Sequence, residues 1–236
     1  MWKDFFTQNK INLCFLGTVT EELKYEKPTK VQFEVIPKFT SNKDVIVKAC
    51  TGSGKTAAYV IPLYQIILNH TSSLIKQQTE EEETYFTNKT SITSNSVNTN
   101  NSHMISKMGI LGIVLVPTRE LGAQVFSVIN KFKSSIEGLT TALLIGGKKL
   151  SLDLDKFKDN YPNLIVSTPG RLSDLDKELN LSFNHLQVLI LDEADKMLEL
   201  GMKPELSYLM SKFNKQRRTG LFSATMNSQM DNIILT

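Results

Sequence analysis

The sequence predicts an α/β fold with a mostly parallel sheet covered by helices on both faces. Short apolar runs rich in β-branched residues alternate with stretches of helical spacing. Most runs are continuously apolar, which is typical of parallel strands that are buried on both sides. The predicted strands lie at 45–47, 110–116, 143–145, 164–166, 188–191 and 220–222, with helical stretches at 57–68, 120–132 and 153–157.

Length and composition limit the class of protein. The 236 residues suit one large domain or two small ones, and 41% hydrophobic with 22% charged residues is ordinary globular usage. Two cysteines can form at most one disulfide bond, which excludes a disulfide-rich scaffold of this size. The formal charge, 27 − 24 = +3, does not by itself demand a polyanionic partner, but permits one if basic residues share a face.

No apolar run approaches the ~18 residues that span a bilayer. The first residues, Met1-Trp2-Lys3-Asp4, lack the basic head and apolar stretch of a signal peptide. We therefore expect an intracellular protein in a reducing compartment, with no membrane partner.

One segment, near 76–107, interrupts the alternation. It contains the acidic run Glu80–Glu83, and 12 of the 15 residues from 88 to 102 are Asn, Ser or Thr. Such a composition cannot fill a core, so we expect a disordered surface insertion there.

A glycine-rich segment, Ala49–Thr56, follows the first predicted strand and precedes a helical stretch, as a phosphate-binding loop requires. Its glycines let the backbone curl until N–H groups point at an anion, and the helix start adds the positive end of its dipole. Lys55 can reach the β- and γ-phosphates, and the Thr56 hydroxyl can hold Mg²⁺. Ala49 stands where the full pattern has its first glycine. The candidate phosphate-binding residues are Thr51, Gly52, Ser53, Gly54, Lys55 and Thr56.

Two acids follow the apolar run at 188–191 and should therefore lie at the carboxyl edge of the sheet, where ligands of such folds bind. Asp192 is the candidate to hold Mg²⁺, and Glu193 to orient or deprotonate a water. Two acids after a strand are in themselves more typical of a helix N-terminus. Together with a phosphate loop, they favour a catalytic site of Lys55, Asp192 and Glu193.

These segments together resemble the DEAD-box family of ATP-dependent RNA helicases. Other stretches resemble further motifs of that family's first domain, in the same order: 25–32, 117–121, 146–147, 168–171 and 223–225. The resemblance covers almost the whole chain apart from the insertion. It implies a RecA-like P-loop domain over 1–236, with ATP and Mg²⁺ as cofactors and ADP as product.

The resemblance assigns adenine binding to Tyr25, Thr29 and Gln32, within a segment near 2–32. The Gln32 carboxamide offers an acceptor and a donor that match the N6 and N7 edge of adenine, and the Tyr25 ring can pack on the base. Lys24 replaces the family's usual glycine. The family also uses an aromatic residue further upstream, and the spacing leaves Trp2, Phe5 and Phe6 open.

The resemblance also assigns RNA contacts to residues just beyond strands. Taken singly, Gly146-Gly147 is more typical of a plain turn and Arg119 of a solvated helix start. Backbone N–H groups, hydroxyls and arginines suit phosphates and 2′-hydroxyls rather than base edges. We expect RNA, single-stranded or as a short duplex, bound without sequence preference. The candidates are Pro117, Thr118, Arg119, Gly146, Gly147, Thr168, Pro169, Gly170 and Arg171.

The resemblance further implies that Asp195, Ser223, Ala224 and Thr225 link ATP turnover to unwinding. A DEAD-box enzyme has a second RecA-like domain, and this chain stops about ten residues beyond Thr225. We therefore expect the first domain of a longer enzyme, with the second domain in cis, a monomeric state and little hydrolysis by this chain alone.

Residues 216–226 and 42–45 look closest to helicases of ribosomal large-subunit assembly, which implies a nuclear, nucleolar location and a role in rRNA processing. Two alternatives remain open. One is a DNA-directed translocase of the same superfamily, against which Asp195 and Gln32 argue. The other is an ATP-gated RNA clamp or scaffold, although intact Lys55, Asp192 and Glu193 argue against an inactive enzyme.

Overall fold

A six-stranded, wholly parallel sheet forms the centre of the molecule. It comprises β1 (Val45–Lys48), β2 (Gly112–Leu115), β3 (Thr141–Leu144), β4 (Leu164–Ser167), β5 (Val188–Asp192) and β6 (Arg218–Ser223). The computed structural model describes residues 1–86, 105–159 and 161–225. All six predicted strands are confirmed, as is the α/β fold class. The strand order is β1-β6-β5-β2-β4-β3.

Besides a helical stretch at 105–107, eight longer α-helices of the described residues surround the sheet. They are α1 (Trp2–Gln8), α2 (Lys30–Thr40), α3 (Lys55–Phe86), α4 (Arg119–Phe132), α5 (Leu150–Asp159), α6 (Pro169–Leu179), α7 (Ala194–Glu199) and α8 (Lys203–Lys212). Short 3₁₀ or π turns lie at Leu13–Phe15, Thr18–Glu22 and Lys133–Ser135.

The sheet separates two hydrophobic clusters. One packs α1 to α4 against one face, and the other packs α5 to α8 against the opposite face. Successive residues of β2 alternate between them: Val114 belongs to the first cluster, and Ile113 and Leu115 to the second. The central strands are therefore buried on both sides, which is why their sequences are continuously apolar.

The predicted insertion is shorter than its composition suggests, because α3 continues to Phe86. Residues 76–86 thus extend this helix, and the reason is that Glu, Gln and Lys are good helix formers despite their polarity. At the other end Ile105 is buried, and its carbonyl accepts a hydrogen bond from Asn163 Nδ2 at 3.0 Å. Residues 87–104, where the polar run was predicted to be disordered, lie outside the described residues.

The sheet order divides the carboxyl edge into two halves. The neighbours β1, β6 and β5 lead into the phosphate loop, the 223–225 segment and the acids, respectively. The neighbours β2, β4 and β3 lead into Thr118, Thr168 and Gly146. The phosphate loop and the acids therefore follow strands in one half of the sheet, and the residues assigned to RNA follow strands in the other half.

Candidate functional site

A cleft of about 640 Å³ opens at the half of the carboxyl edge that β1, β6 and β5 form. Four separate segments line it, and three of them were predicted from the sequence. The predicted residues in its wall are Tyr25, Thr29, Gln32, Thr51, Gly52, Gly54, Lys55, Thr56, Asp192 and Glu193. Sequence reasoning missed Lys24, Glu26, Lys27, Leu121 and Gln124, which also line it. The phosphate loop and the acids thus face one another across a single space.

The loop at 49–56 has the curled backbone that anion binding requires. Gly52 and Gly54 have φ values of +78° and +90°, a region that disfavours side chains with a Cβ. A Cβ on Gly54 would lie 2.6 Å from Gln32 Nε2 and 3.0 Å from Thr29 Oγ1. Gly54 is therefore required both by its φ angle and by the close approach of α2. Ser53, by contrast, does not line the cleft, and its hydroxyl donates to the Cys50 carbonyl at 2.7 Å.

Lys55 begins α3 and lies across the loop. Its side chain is buried, and Nζ donates a hydrogen bond to the Ala49 carbonyl at 2.8 Å. An ammonium group has three donors, so two remain for phosphate oxygens. The lysine is thus held at the centre of the loop by the loop's own backbone.

Gln32 is buried and joins the start of α2 to the phosphate loop. Its Oε1 accepts from the Thr29 N–H at 2.9 Å, while its own N–H donates to Thr29 Oγ1 at 3.3 Å, forming a capping box. Its Nε2 donates to the Gly54 carbonyl at 3.1 Å. The expected donor and acceptor are at the cleft, and each already has one partner within the protein. The second N–H and second lone pair are the ones that a base can use.

The upstream aromatic residues do not line the cleft. Trp2, Phe5 and Phe6 are all buried in the core, where their rings contact one another at centroid distances of 5.6–6.4 Å. Phe5 also packs on Phe33, which is exposed. Among the aromatic residues considered, only Tyr25 lies at the cleft. The apolar spacing of this segment reflects helix packing.

Asp192, the last residue of β5, is 2% exposed. Its Oδ1 accepts from the Glu193 N–H at 3.0 Å and its Oδ2 accepts from the Tyr59 hydroxyl at 2.8 Å. Burial raises the pKa of this carboxyl, although the Tyr59 hydrogen bond and the charge of Lys55 oppose the rise. Burial and the Asp192 charge raise the pKa of Tyr59 well above its usual range, which keeps the phenol a donor.

Glu193 occupies the left-handed region, with φ 53° and ψ 50°. This conformation is costly for a residue other than glycine and is found where a functional position overrides local preference. Its Oε2 lies 4.0 Å from Lys196 Nζ. The strained backbone turns the Glu193 side chain into the cleft before α7 begins.

The segment after β6 binds directly to the acid segment. Asp195 Oδ2 accepts from the N–H groups of Ala224 and Thr225, at 3.2 and 2.8 Å, and from the Thr225 hydroxyl at 2.9 Å. Burial alone would raise the pKa of Asp195, but hydrogen bonds from Thr225 and Ser223 outweigh it and hold the pKa below its usual value. The Ser223 carbonyl accepts from the Ala49 N–H at 2.9 Å. Residues 223–225 therefore connect the acids to the start of the phosphate loop.

A second cleft, of about 460 Å³, lies at the other half of the carboxyl edge. The predicted RNA-contact residues in its wall are Pro117, Thr118, Arg119, Gly146, Thr168 and Gly170, together with Glu120, Met202 and Glu205, which sequence reasoning missed. The Arg119 guanidinium lies over Gly146 and Gly147, where a Cβ on Gly147 would clash with it. The φ of +95° at Gly147 also favours glycine. Thr118 caps α4, with its hydroxyl accepting from the Leu121 N–H at 3.2 Å.

Arg171 is placed differently from the expectation of a direct RNA contact. The side chain is buried, and its guanidinium binds Asp153 Oδ2 at 2.8–2.9 Å and the carbonyls of Lys148 and Lys149 at 2.9 and 3.2 Å. The Nε and Nη2 groups therefore bind α5 and the loop that follows Gly147. Pro169 is likewise buried, at the first position of α6. Both residues hold the second cleft in shape rather than face it, which a linear motif could not distinguish from contact.

No group of three or more His, Cys, Asp or Glu side chains that could hold a metal ion occurs in the described ranges. Thr56 and Asp192 instead supply a hydroxyl and a carboxylate at the wall of one cleft. Such oxygen donors are the ligands that Mg²⁺ takes together with nucleotide phosphates and waters. Within the described residues, no helix has the length and apolar character needed to cross a membrane.

Solved structures of similar fold share this arrangement of elements. A DEAD box protein from Methanococcus jannaschii superimposes with a TM-score of 0.72 and 30% identity, over 96% of this chain and 51% of that one. The yeast DEAD-box splicing factor Prp28 gives a TM-score of 0.72 and 26% identity, over 96% of this chain and 47% of that one. The RecA-like fold expected from the resemblance is therefore confirmed.

Sequence comparison points to the same family. The Arabidopsis thaliana protein named DEAD-box ATP-dependent RNA helicase 49 is 38% identical over 202 residues, covering 85% of this chain and 31% of that protein. The Gallus gallus ATP-dependent RNA helicase DDX55 is 36% identical over 220 residues, covering 91% and 32%. The chain spans about a third of the length of these relatives. The profile described as DEAD/DEAH box helicase matches residues 29–233, and this chain belongs to that family.

Proposed function

We propose that the chain binds ATP in the first cleft and forms the nucleotide-binding part of an ATP-dependent RNA helicase. The observation that carries this proposal is that the curled phosphate loop, with Lys55 and Thr56, shares one cleft with Asp192 and Glu193. The names of the relatives, which are ATP-dependent RNA helicases, support the same activity.

The residues of the cleft fit the chemistry of phosphoryl transfer. Lys55 donates to the β- and γ-phosphates, and the N–H groups around Gly52 and Gly54 bind the remaining phosphate oxygens. The oxygen donors of Thr56 and Asp192 hold Mg²⁺, which neutralises charge on those phosphates when bound. Glu193 orients the attacking water and accepts its proton. ADP is the product.

Base recognition falls to the segment before α2. Tyr25 packs on adenine, and Thr29 holds the Gln32 carboxamide at the cleft wall. The free N–H and lone pair of Gln32 read the N7 and N6 edge of adenine. A guanine would leave this buried amide mismatched, at a cost of about 1–3 kcal/mol.

The second cleft binds the sugar-phosphate backbone of RNA. Arg119 supplies charge, while the Thr118 and Thr168 segments and Gly146 supply close backbone approach and polar groups. Such groups contact phosphates and 2′-hydroxyls, so binding is independent of base sequence. Asp195, Ser223, Ala224 and Thr225 transmit the state of the first cleft through the hydrogen bonds described above.

Hydrolysis and unwinding need a second RecA-like domain, supplied in cis within a monomer. An arginine from such a domain is worth about 10³–10⁵ in rate. The likeness of residues 216–226 and 42–45 to helicases of ribosomal large-subunit assembly favours pre-ribosomal RNA as the substrate and the nucleolus as the location.

Nucleotide binding and hydrolysis by this chain test the proposal. We expect ADP with Mg²⁺ to raise its unfolding temperature, hydrolysis of ATP to be barely detectable, and single-stranded RNA to add little. The absence of any ADP-induced shift would refute nucleotide binding, and vigorous turnover by this chain alone would refute the need for a second domain.

A longer chain that includes the second domain tests the substrate. RNA should stimulate its ATPase more than DNA of the same sequence, and Glu193→Gln should abolish turnover. Equal stimulation by DNA would instead indicate a DNA-directed translocase. Full cellular function of the Glu193→Gln variant would indicate a clamp.

A further inference from the structure

Tyr59 lies one turn after Lys55 on α3, directly beneath the first cleft. The side chain is completely buried. Its ring packs edge-on against Phe222 of β6, at a centroid distance of 5.0 Å and an interplanar angle of 62°. This packing fixes the ring, so the direction of the hydroxyl is set by the core rather than by solvent.

The hydroxyl of Tyr59 contacts one of the two residues that are proposed to hold Mg²⁺. It donates to Asp192 Oδ2 at 2.8 Å, across 133 residues of sequence. The other Asp192 oxygen, Oδ1, accepts the Glu193 N–H at 3.0 Å. The carboxylate thus has a protein donor on each oxygen and cannot rotate without breaking one of them.

A second tyrosine on the same helix provides an internal comparison. Tyr64 is also completely buried, and its hydroxyl also makes a hydrogen bond of 2.8 Å, but the acceptor is the backbone carbonyl of Ile129. The two phenols are thus alike in helix, burial and hydrogen-bond length. They differ in that Tyr59 binds a carboxylate at the cleft and Tyr64 binds backbone away from it.

We propose that Tyr59 is a positioning residue, which holds the Asp192 carboxylate in the orientation that binds the divalent cation of the nucleotide complex. The inference rests on the proposed function of the first cleft. Hydrogen-bond donors behind a metal-binding carboxylate fix its orientation, and their loss typically costs about 10- to 100-fold in metal affinity. The ring of a phenylalanine would fill the same space but would leave Asp192 with a single protein donor.

The test measures metal dependence of binding rather than turnover. The unfolding temperature of the chain is followed at a fixed ADP concentration while MgCl₂ is titrated, for wild type, Tyr59→Phe and the matched control Tyr64→Phe. We expect Tyr59→Phe to raise the half-saturating Mg²⁺ concentration about tenfold and Tyr64→Phe to leave it at the wild-type value. The ADP affinity in excess EDTA should be the same in all three proteins.

A double-mutant cycle with Asp192→Asn separates positioning from a general loss of stability. If Tyr59 acts through Asp192, adding Tyr59→Phe to Asp192→Asn changes the Mg²⁺ dependence no further. An unchanged Mg²⁺ requirement in Tyr59→Phe, an equal change in Tyr64→Phe, or full additivity in the cycle would each overturn the inference. In those cases a normal ADP response of the wild type would leave the proposed function intact, whereas no response of the wild type would refute that function itself.

Discussion

Thr225 donates two hydrogen bonds to one oxygen of Asp195, from its backbone N–H at 2.8 Å and from its hydroxyl at 2.9 Å. The two residues are thirty positions apart and belong to segments that follow neighbouring strands. The segment after β6 is therefore fastened to the acid segment by a charged acceptor, the stronger kind of hydrogen bond.

The first prediction concerns this contact. Thr225→Val removes the hydroxyl and keeps the shape and the backbone N–H. Hydrogen bonds to charged groups contribute about 1.5–3 kcal/mol, and the partial exposure of this pair places the expected loss of unfolding free energy at the lower end. Urea denaturation measures it. Thr20→Val is the control, because the Thr20 hydroxyl donates to an uncharged acceptor, the Leu16 carbonyl, on an exposed surface. Equal losses in the two variants would show that the carboxylate adds nothing.

The same contact predicts a pH dependence. The pKa of Asp195 is lower in the folded state than its ordinary value of 3.8. Its stabilising contribution is therefore fully present above pH 3.8 and is lost as pH falls through the folded pKa. The difference in unfolding free energy between wild type and Asp195→Asn should be constant near neutrality and should shrink in acid. A difference that is independent of pH down to pH 2 contradicts this assignment.

The contribution of Asp192 to the unfolding free energy should depend on pH in the opposite direction, because burial raises the pKa of Asp192. The folded state then holds the proton more tightly, and stability is lost as pH rises through the folded pKa. We expect Asp192→Asn to increase the unfolding free energy at pH 7 by about 0.5–2 kcal/mol, a usual gain when a functional site is relaxed. The same substitution should weaken, but not abolish, the Mg²⁺ dependence of ADP binding. A variant that is less stable than wild type at pH 7 would show that the partners of Asp192 outweigh its desolvation.

Gly54→Ala tests the shape of the phosphate loop. The added Cβ would approach Gln32 Nε2 and Thr29 Oγ1, at a φ angle that alanine disfavours. We expect a loss of about 1–3 kcal/mol from the strained backbone, together with a loss of nucleotide binding. Gly17→Ala is the control, since nothing lies within 4 Å of a Cβ there and its φ of −57° is helical. Nucleotide binding that survives Gly54→Ala would indicate that the Gln32 contact is dispensable.

Alanine substitutions at Arg119 and Arg171 should have different effects, one on RNA affinity and the other on the free energy of unfolding. Arg119→Ala should lower RNA affinity and reduce the salt dependence of binding by about one ion, with little change in unfolding. Arg171→Ala breaks the buried ion pair with Asp153, and removing one member of such a pair typically costs about 3–5 kcal/mol. Fluorescence anisotropy over a salt series and chemical denaturation measure the two effects. An Arg171→Ala variant that is as stable as wild type would contradict the structural role and would again favour a direct contact between Arg171 and RNA.

The strands were predictable because burial on both faces of a parallel sheet leaves a continuous apolar run, as in Ile113–Leu115. The phosphate loop was predictable because few residue types other than glycine accept the φ values at positions 52 and 54. The strand order was not read from the sequence, because it depends on contacts between distant segments. The same limit hid the burial of Arg171 and the hydroxyl contact of Tyr59, which in sequence look like an ordinary arginine and an ordinary helix residue.

The position of β6 has a consequence for how the molecule is made. β1 is synthesised before its partner in the sheet, β6, and more than 170 residues separate paired positions such as Val45 and Gly220. Insertion of β6 between β1 and β5 therefore has to wait until translation has passed Ser223. Until that moment a nascent chain holds a phosphate loop on a strand without its neighbour, and the nucleotide end of the sheet is the last to be assembled.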